Sequence, residues 1–315
     1  MPDLVSLIVP CYNESRTVEF FSKTITPILD GVRGVAWEII CVDDGSDDDT
    51  LTRLLRLAEN DARYRIIELS RNFGKEAAIT AGIDEARGAS AIVLDADLQD
   101  PPELIPQMIG EWRAGAEVVV GRRIDRSSDS LLKRTTASWF YSIHNKLSKP
   151  KIPKNVGDFR LIDRCVIEAL KALPERQRFM KGLFAWVGFK TVTIDYVRQP
   201  RTVGSSKFSG FALWNLALEG FTSFSTLPIR VWTYVGSFGA FLALMYGLFI
   251  ACRTLLVGNS VPGYSSLFFA VVFLGSVQIM SVGMLGEYIG RIYIEAKGRP
   301  IYIIRKIYNA ETYSE

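Results

Sequence analysis

The chain has 315 residues, of which 48% are hydrophobic, and a formal net charge of +3. That length allows one sizeable domain with an appendage, and so small a charge does not describe a nucleic-acid binder. A single histidine, His144, excludes a multi-histidine metal centre and argues against a Ser–His–Asp triad; the four cysteines, Cys11, Cys41, Cys165 and Cys252, form no Cys-x-x-Cys pair and fit free thiols in a reducing compartment.

Along the chain, Leu4–Val9 lacks a basic n-region and a small-residue cleavage site, so it reads as a strand and not as a leader. Short apolar runs with polar ends follow at Glu38–Val42, Tyr64–Leu69, Ala91–Leu94 and Glu117–Val120. Amphipathic stretches at Thr17–Leu29, Thr50–Ala58 and Lys75–Ala86 separate them. Strands alternating with helices predict an α/β domain with a mostly parallel, doubly wound sheet over residues 1–204. Residues 126–200 are basic and mixed, with helices expected around Leu131–Leu147 and Arg164–Leu173 and a strand around Thr191–Val197.

The character then changes. Phe208, Phe211, Trp214, Leu218, Phe221 and Phe224 recur at roughly helical spacing, which predicts interfacial amphipathic helices over 205–229. Two apolar stretches, about 231–257 and 264–289, are each long enough for a span of roughly 20 residues, and the link 258–263 allows only a tight turn. A two-helix transmembrane hairpin is expected over 230–290. Arg198, Arg201, Lys207 and Arg230 precede it, and Arg291, Lys297, Arg299, Arg305 and Lys306 follow it; Arg253, near the turn, is expected to snorkel. This asymmetry predicts a multi-pass protein with its α/β domain, both termini and a basic tail over 291–315 in the cytoplasm.

Ligands of doubly wound sheets bind beyond the carboxyl ends of the strands, so the polar residues there are the candidates. Asp95-Ala96-Asp97 follows the run Ala91–Leu94. In extended chain, side chains two apart face the same way, so both carboxylates can share one hard divalent cation, Mg2+ or Mn2+, with Gln99 close enough to touch the metal or its water. Such a cation offsets charge on a departing diphosphate. In Asp43-Asp44-Gly45-Ser46 the adjacent carboxylates repel unless each has a partner; they can bind a nucleotide's base or ribose while Ser46 or Asp47 caps the next helix. Pro10-Cys11-Tyr12-Asn13-Glu14 ends the first strand beside them, with Tyr12 placed to pack on a base and Glu14 to bind ribose. Lys75 opens a helix, where a cation opposes the dipole; a phosphate or base ligand would explain it, and so would plain solvation.

Together, Val-Pro-x-Tyr-Asn-Glu (9–14), Val-Asp-Asp-Gly-Ser (42–46), Arg-Asn-x-Gly-Lys (71–75) and Asp-Ala-Asp-Leu-Gln-Asp-Pro-Pro-Glu (95–103) resemble the family 2 glycosyltransferases of GT-A fold, in particular the polyprenyl-phosphate branch with its dolichol-phosphate mannose synthases and bactoprenol glucosyltransferases. The resemblance implies donor-nucleotide contacts from Pro10, Tyr12, Asn13, Glu14, Asp43, Asp44, Lys75, Asp95, Ala96 and Lys207. It implies a metal held by Asp95, Asp97 and Gln99. It places Arg122, Lys133, Arg134 and Lys207 at the acceptor phosphate, and Asp97, Asp158 and Arg122 in catalysis, with Asp158 orienting the acceptor or taking a residual proton. The expected reaction is inverting transfer of a sugar, glucose from UDP-glucose, to undecaprenyl or another polyprenyl phosphate at the inner membrane of a bacterium. A homo-oligomer, of the tetrameric size its relatives suggest, is implied as well. The residues leave GDP-mannose or an aminoarabinose-type UDP sugar open as donor, and a non-catalytic nucleotide-sugar-binding scaffold open as role. A processive synthase is disfavoured, because Gln177-Arg178-Phe179-Met180-Lys181 lacks the Gln-x-x-Arg-Trp motif.

Overall fold

The computed structural model describes residues 2–124, 156–176, 178–197 and 263–309, with isolated helical positions between 236 and 256. The chain divides into two compact units, Met1–Ala217 together with Arg299–Glu315, and Leu218–Gly298.

The first unit is built on an eight-stranded sheet. Its strands are β1 (Asp3–Cys11), β2 (Val35–Asp43), β3 (Tyr64–Leu69), β4 (Ser90–Val93), β5 (Val118–Arg123), β6 (Val156–Asp163), β7 (Thr191–Tyr196) and β8 (Ile304–Tyr308). They lie in the order β7-β5-β6-β4-β1-β2-β3-β8. β1 to β4 are mutually parallel, as is the β5–β7 pair, whereas β6 runs antiparallel to β4 and β5 and β8 antiparallel to β3. Val5, Leu7, Ile8 and Val9 are fully buried, as expected of a parallel strand covered on both faces.

The helices cover the sheet through single apolar stripes. In α1 (Val18–Asp30) the stripe is Val18, Phe21, Ile25 and Leu29, at helical spacing; in α2 (Thr50–Asn60) it is Leu54 and Ala58. Every residue from Ala77 to Ile83 of α3 (Lys75–Glu85) is buried, so α3 lies inside the unit. α4 (Ile105–Arg113), α5 (Arg164–Lys171) and α6 (Met180–Trp186) complete the described α-helices of this unit.

The alternation expected for the first 120 residues is present, and two elements differ from the expectation. Val156–Asp163, which carries charges at Asp158 and Arg160, is a strand in the middle of the sheet. Residues 304–308, expected in a basic tail, form the edge strand β8 on β3; a charged strand such as Ile-Arg-Lys-Ile-Tyr suits a sheet edge, where charge discourages further pairing.

In the second unit α7 runs from Tyr264 to Lys297, 34 residues or about 51 Å at 1.5 Å per residue. Gly298 ends it with φ +67°, the left-handed conformation that favours glycine after a helix. Its described side chains include exposed Leu267, Val271, Phe273, Ile279 and Met280. Among the described residues no helix is both long and apolar enough to cross a membrane, so the hairpin expected over 230–290 is not established by this structure. The interfacial segment 205–229, the helix expected around Leu131–Leu147, and Lys133, Arg134 and Lys207 lie outside the described residues.

Candidate active site

The rim formed by the carboxyl ends of β1 to β5 and β7, and by the start of β6, carries the candidate residues in a row. On the β1–β3 side, three loops are sewn together by hydrogen bonds. The backbone N–H of Asn13 donates to Ser46 Oγ at 3.0 Å, and that of Asp47 donates to Asn13 Oδ1 at 2.9 Å. Glu14 N–H donates to Thr50 Oγ1 at 2.8 Å, while Glu14 Oε2 accepts from Thr17 Oγ1 at 2.7 Å. Asn13 has φ +54°, a conformation uncommon outside glycine but tolerated by asparagine. Tyr12 is left 38% exposed at the mouth.

The two aspartates of Asp43-Asp44 separate in role. Asp44 is 2% exposed, and its two carboxylate oxygens accept from Phe73 N–H at 2.7 Å and Gly74 N–H at 2.9 Å. It pins the loop after β3. Asp43 accepts from Ser46 N–H through Oδ2 at 3.2 Å, whereas its buried Oδ1 has no hydrogen-bond partner. Burial raises the Asp43 pKa, against the lowering effect of Ser46. A buried acceptor without a partner costs about 1–3 kcal/mol, and among the described residues nothing offsets that cost for Asp43 Oδ1. Gly45, at φ +64°, lets these loops meet: a Cβ there would lie 2.4 Å from the carbonyl carbon of Arg71.

At the centre, Lys75 Nζ lies 2.7 Å from Asp95 Oδ1 and 2.8 Å from Asp158 Oδ2. α3 delivers the lysine, β4 leads into Asp95, and β6 supplies Asp158. Lys181 of α6 approaches the other oxygen of Asp158 at 3.7 Å. Burial opposes ionisation of Asp158, but Lys181, Lys75 and Arg160 outweigh it and hold the carboxyl well below the usual carboxylate range. For Lys75 burial disfavours the charge, and Asp95 and Asp158 more than offset it, so the amine stays protonated. Its side chain is nevertheless 43% exposed, so solvent screens these pairs from one side. Burial lifts Asp95, with Asp158 and Asp97 adding to it and Lys75 opposing. Glu76, next on α3, is pushed up to about 7 by burial and by Asp158, against Lys181 and Lys75.

Asp97 is half-buried and accepts from the backbone N–H of Gln99 at 3.2 Å; the side chain of Gln99 is buried, 4% exposed. Between them Leu98 has φ +48°, a strained conformation for a branched side chain, of a kind that concentrates at functional turns. Asp95 and Asp97 offer hard carboxylate oxygens, the donor type that Mg2+ and Mn2+ prefer. Among the described residues no three His, Cys, Asp or Glu side chains gather as a metal cage. Asp95 is engaged by Lys75, and a cation held by Asp95 and Asp97 would complete its shell from substrate phosphates and water, the usual habit of Mg2+.

Two models of known families match the chain: Glycosyl transferase family 2 over residues 6–171 and the GtrB C-terminal hairpin over residues 227–292. The chain belongs to glycosyl transferase family 2. It is 52% identical over 302 residues, 96% of this chain and 97% of the relative, to an SfII prophage-derived bactoprenol glucosyl transferase of Shigella flexneri. It is 50% identical over 303 residues to a prophage bactoprenol glucosyl transferase homolog of Escherichia coli K12, with 96% and 99% of the two chains covered. It is 46% identical over 307 residues, 98% and 96% of the chains, to an uncharacterized glycosyltransferase of Synechocystis.

In this family 2 glycosyltransferase the predicted residues fall into groups. Pro10, Tyr12, Asn13, Glu14 and Asp43 share the β1–β2 end of the rim, and Lys75, Asp95 and Asp158 meet at its centre, with Ala96 (4% exposed) and Asp97 following Asp95. Lys75 thus serves as the cation between two carboxylates. Arg122, expected at the acceptor phosphate, forms a two-pronged pair with Asp195 of β7, at 2.6 and 2.8 Å, in solvent at the strand edge. The sequence reading passed over Lys181, Arg160 and Asp100. Arg160 donates to Gly157 O at 2.7 Å and stacks its guanidinium 3.9 Å from the Phe184 ring. Asp100 accepts from Tyr196 and from Arg123, tying the Asp-Ala-Asp loop to β5 and β7. The signal for Asp100 was present in Leu-Gln-Asp-Pro-Pro-Glu, and Lys181 stood in the stretch read only for the motif it lacks.

Proposed function

We propose that this chain transfers glucose from UDP-glucose to undecaprenyl phosphate, or a polyprenyl phosphate of similar kind, with inversion at the anomeric carbon. The observation that carries the reading is the meeting of Asp95, Lys75 and Asp158 at the rim beside Asp97. The names of relatives that are 50–52% identical over nearly their whole length support bactoprenol as acceptor and glucose as the sugar.

The donor lies along the rim. Its base meets Tyr12 at the mouth beside Asp43, its ribose meets Glu14, and its diphosphate meets Asp95 and Asp97. A divalent cation held by Asp95 and Asp97 would offset charge on the diphosphate as it departs. Lys75 sets the spacing of Asp95 and Asp158, so the donor side and the acceptor side are held in one register. The acceptor phosphate has a second pKa of about 6 and arrives largely dianionic near neutral pH, so it needs no strong base. Asp158, held low by its cationic neighbours, is too weak to serve as one. It fixes Lys75 and Lys181 where anions must approach each other, and positioning supplies much of the acceleration. Single displacement by the phosphate oxygen then inverts the sugar carbon.

The segment over 230–290 is proposed as a transmembrane hairpin on the strength of its apolar sequence and its match to the GtrB C-terminal hairpin model. With the interfacial segment before it, the hairpin would hold the site at the cytoplasmic surface of a bacterial inner membrane, where the acceptor head group is concentrated. A homo-oligomer, tetrameric in form, belongs to the same proposal.

The test is a donor panel. Purified full-length protein with Mn2+ and undecaprenyl phosphate should transfer sugar from UDP-glucose to a lipid-extractable product, and much more slowly from GDP-mannose or UDP-aminoarabinose-type donors. Faster transfer from either of those would replace the donor, and no transfer from any would refute the activity.

A further inference from the structure

The sheet order sets the rim out as a line: nucleotide loops over β1 and β2, Asp95 at β4, Asp158 at β6, and then β5 and β7. Past Asp158, on the side away from Asp95, lies a cavity of about 260 Å3 between the sheet and α6. Val118 and Val120 of β5, Val156 of β6, Phe184 of α6 and Phe189 supply its apolar lining. The remaining lining includes Arg160 and Lys181, and Lys181 is the same amine that faces Asp158 at 3.7 Å. Asp158 and Arg160 share a face of β6 because strand side chains alternate. One cation, Lys181, therefore both lines the cavity and faces the carboxylate at the centre of the site.

Its chemistry selects one class of occupant. Apolar walls are a poor host for a sugar or nucleotide, whose polar groups would be left without partners. Its volume falls below the roughly 300–1,000 Å3 of ordinary ligand pockets, so it takes part of a molecule. A phosphate at Lys181 places whatever is esterified to it against the valine and phenylalanine walls. In a polyprenyl phosphate, that group is branched hydrocarbon.

We infer that this cavity receives the phosphate-proximal isoprene units of the acceptor, with Lys181 at its Asp158 end facing the phosphate. The inference rests on the polyprenyl phosphate reading above. It makes the cavity a subsite that reads the shape of the lipid's first units, distinct from the donor residues.

The experiment uses full-length protein in detergent with undecaprenyl phosphate, UDP-glucose and Mn2+. Ala185, which lines the cavity, is replaced in Ala185→Phe to fill it, and Lys181→Met removes the cation without filling it. Both variants should raise the acceptor KM about tenfold or more while the donor KM and UDP affinity stay within about twofold. An unchanged acceptor KM in Ala185→Phe, with the wild type active, overturns the inference alone. An equal loss of UDP affinity overturns it too, since the cavity would then be serving the fold. No transfer by the wild type overturns the function itself and this inference with it. Should Ala185→Phe fail to fold, wild-type protein labelled with a diazirine-bearing farnesyl phosphate decides the matter. Label on residues 180–191 supports the subsite, and label confined elsewhere refutes it.

Discussion

Lys75 is the residue on which the centre of the site turns, because one ammonium group separates two carboxylates that would otherwise repel across the rim. Lys75→Met leaves Asp95 and Asp158 facing each other. Breaking a fully buried pair costs about 3–5 kcal/mol; with Lys75 43% exposed, the expected loss is about 1–2 kcal/mol in urea unfolding. Turnover should fall about tenfold or more, since 1.4 kcal/mol of misplacement already costs that much. Glu76 makes a second, opposite prediction. Its pKa rises from the ordinary value of about 4.3 to about 7 in the fold, under burial and the field of Asp158 on β6, against Lys181 on α6 and Lys75 on its own helix. A carboxyl raised on folding is bound to its proton more tightly in the native state, so this group's contribution to stability falls as pH rises between about 4.3 and 7 and is flat above. Glu76→Gln removes that slope. Its Tm relative to wild type should therefore be higher at pH 8 than at pH 5, and a difference independent of pH would contradict the assignment. The chain marked Lys75, Asp95 and Asp158 but not their pairing, and Asp43 and Asp44 look alike there, whereas in the fold Asp44 takes the backbone of Phe73 and Gly74 and Asp43 that of Ser46.

At the level of elements, β1 to β4 and α1 to α3 were legible because each strand is an apolar run between polar ends and each outer helix has one buried stripe. β6 was not, because Val-Gly-Asp-Phe-Arg-Leu-Ile-Asp interleaves charges with its apolar residues. The charge of Asp158 is compensated by Lys75 and Lys181, which lie elsewhere until the chain folds, and Arg160 is held by the Gly157 carbonyl of its own strand and by the Phe184 ring of α6. β8 was hidden in the same way. Its Arg305 pairs with the nearly buried Glu68 at 3.0 Å and donates to Ser70 O at 3.0 Å, Tyr308 donates to Glu68 at 2.9 Å, and Ser70 N–H donates to Ile303 O at 2.9 Å. Ser70 opens the loop that Asp44 holds, so β8 steadies the donor side from the sheet edge. Arg305→Ala should raise the UDP-glucose KM severalfold with kcat little changed and stability lower by about 1 kcal/mol. Steady-state kinetics with the donor varied would check this, and a fall in kcat at constant KM would count against it.

Across the whole molecule, the order of strands sets the motif loops in a row, from those over β1 and β2 through Asp95 and Asp158 to the strands that line the cavity, and the proposed reaction follows that row. Residues far apart in the chain, such as Lys75 and Asp158 or Glu68 and Arg305, are joined by that order, and β8 returns to the sheet only after the segment proposed as a membrane hairpin. The account requires Asp97 to act on the diphosphate and to contribute nothing essential to the fold. The most direct measurement is glucose transfer from UDP-glucose to undecaprenyl phosphate by purified Asp97→Asn beside wild type, with Mn2+ titrated and Tm recorded for both. The account predicts a loss of turnover of about a hundredfold or more at unchanged Tm, only partly recovered by excess Mn2+. Wild-type turnover in that variant would contradict it.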